Sequence, residues 1–210
     1  MEEKNAVDPK ETPPEKIPPI PDPFKPLNKE KTLFFEKEED GRRRVHLLAT
    51  VCLREGPLEV LLCKFQTKEH EAILSVDLDA RDIHFALIAA GAKPGTTVRF
   101  VPEYKPATGD EIKVTLTYFH EGKLTTRPAQ QWIQHLRTKK DMEHTWVFAG
   151  SRFFKSPDDP QKPPFYCANN GEIISIANFP DSILDLPVRS SRETAELGFV
   201  AHTARIPPLK

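Results

Sequence analysis

The placement of proline constrains this chain more than any other feature of its sequence. Proline fixes φ and removes a backbone donor, so it breaks helices and is kept out of central strands. Eight of the 21 prolines fall in the first 27 residues, at Pro9, Pro13, Pro14, Pro18, Pro19, Pro21, Pro23 and Pro26. Four lysines and six acids share that stretch. Such a segment has too little apolar area to offset the entropy of ordering it. Residues 1–27 therefore read as a disordered Pro-rich tether, and residues 28–210 as the domain. Pro18–Pro21 also fits PxxP, the pattern that aromatic grooves of partner proteins bind.

Strand-like runs dominate the rest. Arg44–Leu53 and Leu58–Cys63 are β-rich, with Glu55-Gly56-Pro57 as a turn between them. His70–Val76, Thr97–Val101, Ile112–Phe119, Lys123–Arg127, Thr145–Ala149 and Ile173–Ala177 continue the pattern. Ile112, Val114, Leu116 and Tyr118 alternate with more polar neighbours, and Gly122 suits a hairpin turn at His120–Lys123. Helical signals are few. Asp79–Ala90 spaces Ile83, Leu87 and Ala90 on one face, has Asp79 or Asp77 as cap, and stops at Gly91. Pro128–Leu136 opens with proline and sets Trp132 and Leu136 four apart. Ser190–Phe199 is a third candidate, capped by Ser191. The expected fold is α+β: one domain with a mainly antiparallel sheet of about eight strands and two or three helices.

Composition removes several function classes. Thirty basic residues against 31 acidic ones leave a net charge of −1, which excludes a phosphate-driven nucleic-acid binder. No apolar run reaches the ~20 residues of a membrane helix, so no transmembrane segment is expected. Three cysteines, with no CxxC pair, fit neither a disulfide scaffold nor the usual zinc and iron–sulfur spacings. Phosphate-loop, dinucleotide-fold, HExxH and GxSxG motifs are absent.

The most chemically loaded stretch is Cys63–Glu71. If Leu58–Cys63 and His70–Val76 pair as a hairpin, Cys63 lies across from His70, and directly opposed Cβ atoms sit about 4.5–5.5 Å apart. Cys63, Lys68, His70 and Glu71 are then candidate ligand-binding residues. Three readings are open. Cys63 and His70 supply two ligands to a transition metal such as Zn or Cu, with His46, Glu71, His84 or Cys167 completing the set. Alternatively, Cys63 is a nucleophile activated by His70 and Lys68. In the third, Cys63 is an ordinary buried cysteine, as free cysteines commonly are. Separately, Phe153-Phe154 and Phe165-Tyr166 flank a loop, Lys155–Pro164, that carries four prolines. Aromatics so placed either anchor a core at strand ends or grip a peptide or sugar. His84, between Ile83 and Phe85, falls on the outer face of its helix.

A family resemblance rests on several stretches: LNKEKT (27–32), VCLREGPLEVLLC (51–63), TKEHEAIL (67–74), GAKPG (91–95), PATGDEI (106–112), WVFAGS (146–151), NFPDSILDLPV (178–188) and the IPP near the end. In this order they resemble the YdjY-domain family of uncharacterised bacterial proteins, its planctomycete-type members in particular, over residues 27–208. The LREGPLE…C…KEHE and NFP…LDLP blocks are the specific parts. The resemblance implies that the family motif falls on Cys63, Lys68, His70 and Glu71. It also implies an exported, envelope or periplasmic setting with a signal upstream of the Pro-rich spacer, and a last strand beyond Lys210.

The function expected from the sequence is that of a cell-envelope binding protein, taking a metal or redox ligand at the Cys/His motif. The alternatives are a protein- or glycan-interaction module with a structural cysteine, and a Cys–His thiol enzyme. No complete catalytic constellation can be read, which weighs against an enzyme.

Overall fold

Ala72–Val76 (AILSV) is buried at all five positions. That is the pattern of a strand covered on both faces. It is also flanked on both edges: Thr50–Val51 runs antiparallel on one side and Val60–Lys64 parallel on the other. Beyond Val60–Lys64 the sheet continues through Ile174–Ser175, Leu184–Asp185 and Trp146–Phe148 to Glu111–Ile112, making seven strands. All its pairs are antiparallel except Val60–Lys64 with Ala72–Val76 and Ile174–Ser175 with Leu184–Asp185. Trp146, Phe148, Leu61 and Ile73 are among the fully buried residues that make its core. The computed structural model describes residues 24–159, 161–190 and 198–207.

Smaller sheets extend this centre. Lys25–Pro26, Leu33–Lys37 and Arg43–Leu47 form a three-stranded antiparallel sheet, which takes in part of the stretch read as tether. Thr115–His120 and Lys123–Pro128 form the expected hairpin, with Glu121 and Gly122 both at positive φ. Ile133–His135, Phe199–Ala201 and Pro57–Leu58 form another sheet. Phe153–Phe154 pairs with Phe165–Tyr166.

The architecture is a single domain made mostly of sheet, and among the described residues it has one α-helix, Ala80–Ala89. Asp79 caps that helix by accepting the Arg81 amide at 2.9 Å, and Ile83, Ala86 and Leu87 face the core. The helix expected over Pro128–Leu136 does not form. Pro128 ends a strand, Ala129–Trp132 is a short 3-10 turn, and Ile133–His135 pairs with Phe199–Ala201. Strand pairing at Ile133 and burial of Trp132 override the local helical spacing, leaving Leu136 exposed. Of the third expected helix, residues 191–197 lie outside the described residues, and Phe199 stands in a strand. The sheet is thus more divided and more mixed in direction than eight antiparallel strands. Arg44–Leu53 breaks into Arg43–Leu47 and Thr50–Val51, and Thr97–Val101 makes only an isolated bridge, Arg99 to Lys105.

Two glycines, one in the GAKPG stretch and one in PATGDEI, stand where the backbone leaves no room for a side chain. A Cβ on Gly95 would lie 2.3 Å from the backbone of Thr108, and one on Gly109 would lie 2.1 Å from the Phe148 carbonyl oxygen. The chain crosses the sheet edge here at backbone contact distance, where only glycine fits. The Gly95 amide donates to the Phe148 carbonyl at 2.9 Å.

Candidate functional site

The parallel direction of Val60–Lys64 and Ala72–Val76 decides what the loaded stretch can do. Residues 65–71 carry the chain back to the start of the sheet instead of turning it as a hairpin. Cys63 therefore opposes Ser75, not His70. Cys63 is fully buried. The His70 side chain is 76% exposed, and its nearest charged neighbour is Glu71, at 3.8 Å. The expected Cys63–His70 pair does not form, because the intervening residues are used as a crossover.

The crossover is tied down along its length. Gln66 takes a positive φ, its amide donates to the Glu69 carboxylate, and the Thr67 hydroxyl donates to the Lys64 carbonyl. Lys68 then reaches inward. Its Nζ lies 2.7 Å from Glu71 Oε1, 3.3 Å from Glu172 Oε1 and 4.7 Å above the centre of the Phe179 ring. Burial works against the Lys68 charge, but the two carboxylates outweigh it and its pKa is raised. Glu172 is buried, and its Oε2 has no hydrogen-bond partner among the described residues. Of the four candidate residues, Lys68, His70 and Glu71 are thus together, with Glu172 and Phe179 added.

Cys63 has another partner. Cys52 follows the strand Thr50–Val51 on the far edge of Ala72–Val76, and its amide donates to the Ile73 carbonyl at 2.9 Å. Register places Cys52, Ile73, Ser75 and Cys63 on one face of the sheet, because side chains alternate with period 2. The thiols of Cys52 and Cys63 influence each other's ionisation across the middle strand. That influence lowers the Cys52 pKa and raises that of Cys63, with burial adding to the rise at Cys63. Ser75 adds to the lowering at Cys52, and at Cys63 the Lys68 amide pulls the other way without offsetting the rise. Cys52 Sγ lies 3.1 Å from the Ala72 carbonyl. All three cysteines are free thiols.

The two blocks singled out in the sequence meet at this place. The sequence profile of the YdjY domain matches residues 38–209, most of the chain. The chain belongs to the YdjY-domain family. No curated protein and no solved structure matches it.

The second block of this YdjY domain builds a polar centre behind Phe179. Asp185 is fully buried. Its Oδ1 accepts from Asn178 Nδ2 at 3.1 Å and from the Leu186 amide at 2.8 Å, and its Oδ2 has no partner among the described residues. Burial raises the Asp185 pKa to about 7, against the lowering pull of those donors. Asn178 Oδ1 in turn accepts from the Tyr104 hydroxyl at 3.2 Å and the Ser190 amide at 2.6 Å.

The remaining candidates have other roles. His46 pairs with Glu36 at 2.9 Å and stacks on Phe24. His84 is not on an outer face: it is half-buried against Phe148, and burial lowers its pKa. Its Nδ1 lies 2.7 Å from the Tyr166 hydroxyl, which itself donates to the Gly150 carbonyl at 3.0 Å. Nδ1 must therefore carry the proton. Cys167 is buried, and burial raises its pKa. Among the described residues no three His, Cys, Asp or Glu side chains converge on a metal-sized space.

The aromatic hairpin departs from the core-anchor reading. Phe153 is 59% exposed, Phe154 50% and Phe165 42%, and only Tyr166 is buried. Sequence reasoning found these rings but missed Cys52 as the neighbour of Cys63. No spacing rule marks two cysteines that flank a common middle strand. The signal lies in strand direction, which is set by a connection that reads equally well as a hairpin loop.

Proposed function

We propose that this YdjY domain is a non-catalytic interaction module that engages a protein partner through its aromatic hairpin. The observation that carries this is the outward pairing of Phe154 with Phe165 across Phe153–Phe154 and Phe165–Tyr166. Phe153 stands on the other face, 5.0 Å from the Tyr166 ring. Phe154 and Phe165 on one face and Phe153 on the other leave half-exposed apolar surface on both sides of the finger. Aromatic anchors of this kind dominate protein interfaces.

The shape and charge of the finger favour a protein with an apolar groove. The strands project two faces, so the finger enters a concave surface instead of offering one. Lys155 and Lys162 are accompanied by Asp158 and Asp159, so the tip lacks the net positive charge that holds a protein on an anionic lipid surface. The thiol-enzyme reading has little support, since Cys63 is buried and has no histidine beside it. An envelope setting belongs to this proposal as the place where such a tethered module would act.

A photocrosslinking amino acid at position 154, introduced in the native cell, tests the reading. The expected result is a discrete protein adduct that disappears when Phe153 and Phe165 are both changed to Ser. The purified partner should then bind the unmodified domain and not the double variant. Adducts with lipid alone, or a protein adduct indifferent to the double change, would overturn it.

A further inference from the structure

We infer that the outer edge of Thr115–His120 is a self-association surface, on which a second copy of this chain adds its own Thr115–His120 strand, antiparallel, about a two-fold axis. This goes beyond the interaction reading and does not depend on it, because the aromatic hairpin is a different element.

Backbone accounting points to this edge. Thr115–His120 and Lys123–Pro128 form a sheet of two strands, with no third strand among the described residues. Glu121 and Gly122, both at positive φ, make a two-residue loop, so the pair that closes it, His120 with Lys123, is hydrogen-bonded. Hydrogen-bonded pairs then alternate along the ladder: Tyr118 with Thr125, and Leu116 with Arg127. The Ala129 amide continues the series by donating to the Val114 carbonyl at 3.0 Å. The residues between them, Thr115, Thr117 and Phe119, direct N–H and C=O away from the hairpin. Among the described residues no backbone hydrogen bond takes those groups up. All three residues are exposed, whereas Leu116 and Tyr118 pack against the core, with the Tyr118 ring 4.9 Å from that of Trp132. The domain thus holds one face of the strand and leaves its edge open to pairing.

The residues of the edge select the occupant. Edge strands are ordinarily blunted by charge, proline or a bulge. The opposite edge of this hairpin is blunted in that way, by Lys123, Arg127 and Pro128. Two Lys123–Pro128 strands paired about Thr125 would set Lys123 against Arg127, and directly opposed like charges are destabilising. Thr115–Phe119 (TLTYF) carries neither charge nor proline. It is also self-complementary. With the axis at Thr117, that residue faces its own copy, Thr115 faces Phe119, and Leu116 faces Tyr118. Threonine with threonine and aromatic with β-branched residue are favourable cross-strand pairs. The same register brings Lys113 level with Glu121 of the second copy, so opposite charges match at both ends.

The product is a four-stranded sheet with about six new backbone hydrogen bonds, two for each opposed pair. A two-stranded hairpin is marginal by itself, and the added strands complete it. The contact is one short strand wide, so the dimer dissociates on dilution. A foreign extended peptide is the other occupant such an edge accepts, and the self-complementary register favours the second copy.

Sedimentation velocity of the full-length chain over a concentration series tests this. The expected result is a reversible shift from the 23.9 kDa monomer to twice that mass as concentration rises. Thr117→Lys sets two ammonium groups against each other at the axis and should raise the dissociation constant by about tenfold. Thr126→Lys, on the same face of the far strand, should leave it unchanged, and so should Phe153→Ser combined with Phe165→Ser. Amide hydrogen exchange of the native chain needs no variant. The amides of Thr115, Thr117 and Phe119 should exchange more slowly as the protein is concentrated, and those of Leu124 and Thr126 at an unchanged rate. A monomer at every concentration, a dimer indifferent to Thr117→Lys or weakened as much by Thr126→Lys, or protection that falls on Leu124 and Thr126 would each overturn the inference. Loss of the dimer in the double phenylalanine variant would overturn it too, by moving the contact to the aromatic hairpin.

Discussion

The ammonium of Lys68 stands 4.7 Å above the ring of Phe179. One residue comes from the crossover after Val60–Lys64 and the other from the segment before Leu184–Asp185. This contact joins the two sequence blocks on which the family resemblance chiefly rests. Lys68 is also neutralised twice, by Glu71 and Glu172. Held this way, the crossover is tied to Phe179, which packs against the buried cluster of Val60, Cys63 and Ala72.

Replacing Lys68 by Met should therefore be costly. It leaves Glu172, which is buried, without its cation, and breaking a buried pair from one side costs about 3–5 kcal/mol. Some water reaches Lys68, so the lower end of about 3 kcal/mol is expected. The double change Lys68→Met with Glu172→Met should recover part of the loss, because it removes the stranded charge. Urea unfolding of the three proteins checks this. A Lys68→Met variant as stable as the native chain would show that the pair contributes nothing.

Asp185 gives the domain a pH dependence opposite to that of most carboxylates. Its folded pKa is about 7, above the ~3.9 of an unfolded aspartate. Between those values the folded state holds a proton that the unfolded state has lost. Its contribution is thus complete below about pH 4 and is lost as pH rises through 7. Three pKa units at ~1.4 kcal/mol each put the change on the order of 4 kcal/mol. Asp185→Asn keeps the oxygen that accepts from Asn178 and Leu186 and removes the charge. It should match the native protein below about pH 4 and exceed it by a margin that grows as pH rises to about 7 and then levels off. Equal stability curves across that range would mean that Asp185 ionises without penalty.

How far the sequence foretold this site depends on which interactions set each part. The helix Ala80–Ala89 was legible because its cap, its apolar spacing and its stop at Gly91 are all local. The hairpin at Glu121-Gly122 was legible for the same reason. The segment Ile133–His135 was not, because its partner strand Phe199–Ala201 lies far away in sequence, and long-range pairing outranks the local helical spacing of Trp132 and Leu136. The candidate site was half legible. Lys68 and Glu71 came out of one short stretch, whereas Glu172, Phe179 and Cys52 arrive through sheet order. A single misjudged direction, parallel for antiparallel, exchanged Ser75 for His70 opposite Cys63.

His84 and Tyr166 supply an acid-side counterpart to Asp185. The Tyr166 hydroxyl accepts from His84 Nδ1–H and donates to the Gly150 carbonyl. Tyr166→Phe strands both groups, and an unsatisfied buried donor or acceptor costs about 1–3 kcal/mol. Burial lowers the His84 pKa below its unfolded value. The unfolded chain therefore binds the proton first. The stability that His84 contributes is present above ~6.5 and is lost as pH falls through the lower folded value. His84→Gln should flatten this acid-side slope in thermal melts at pH 7.5 and 5.5. A slope unchanged by the substitution would assign the acid sensitivity to other groups.

Gly109 offers the sharpest test of backbone packing at the sheet edge. It holds a φ of +136°, and an added Cβ would meet the Phe148 carbonyl oxygen at 2.1 Å. That oxygen already accepts the Gly95 amide, so it cannot move aside without breaking the bond that closes residues 95–109 over the strand. Gly109→Ala combines backbone strain with a steric clash, and each mechanism alone costs on the order of 1–3 kcal/mol. The variant should unfold at markedly lower urea. Gly122→Ala is the control: Gly122 also has a positive φ, at +75°, but a Cβ there meets nothing within 4 Å. It should lose only the conformational part, about 1 kcal/mol. Equal losses in the two variants would show that dihedral preference, and not the contact with Phe148, is what requires glycine at position 109.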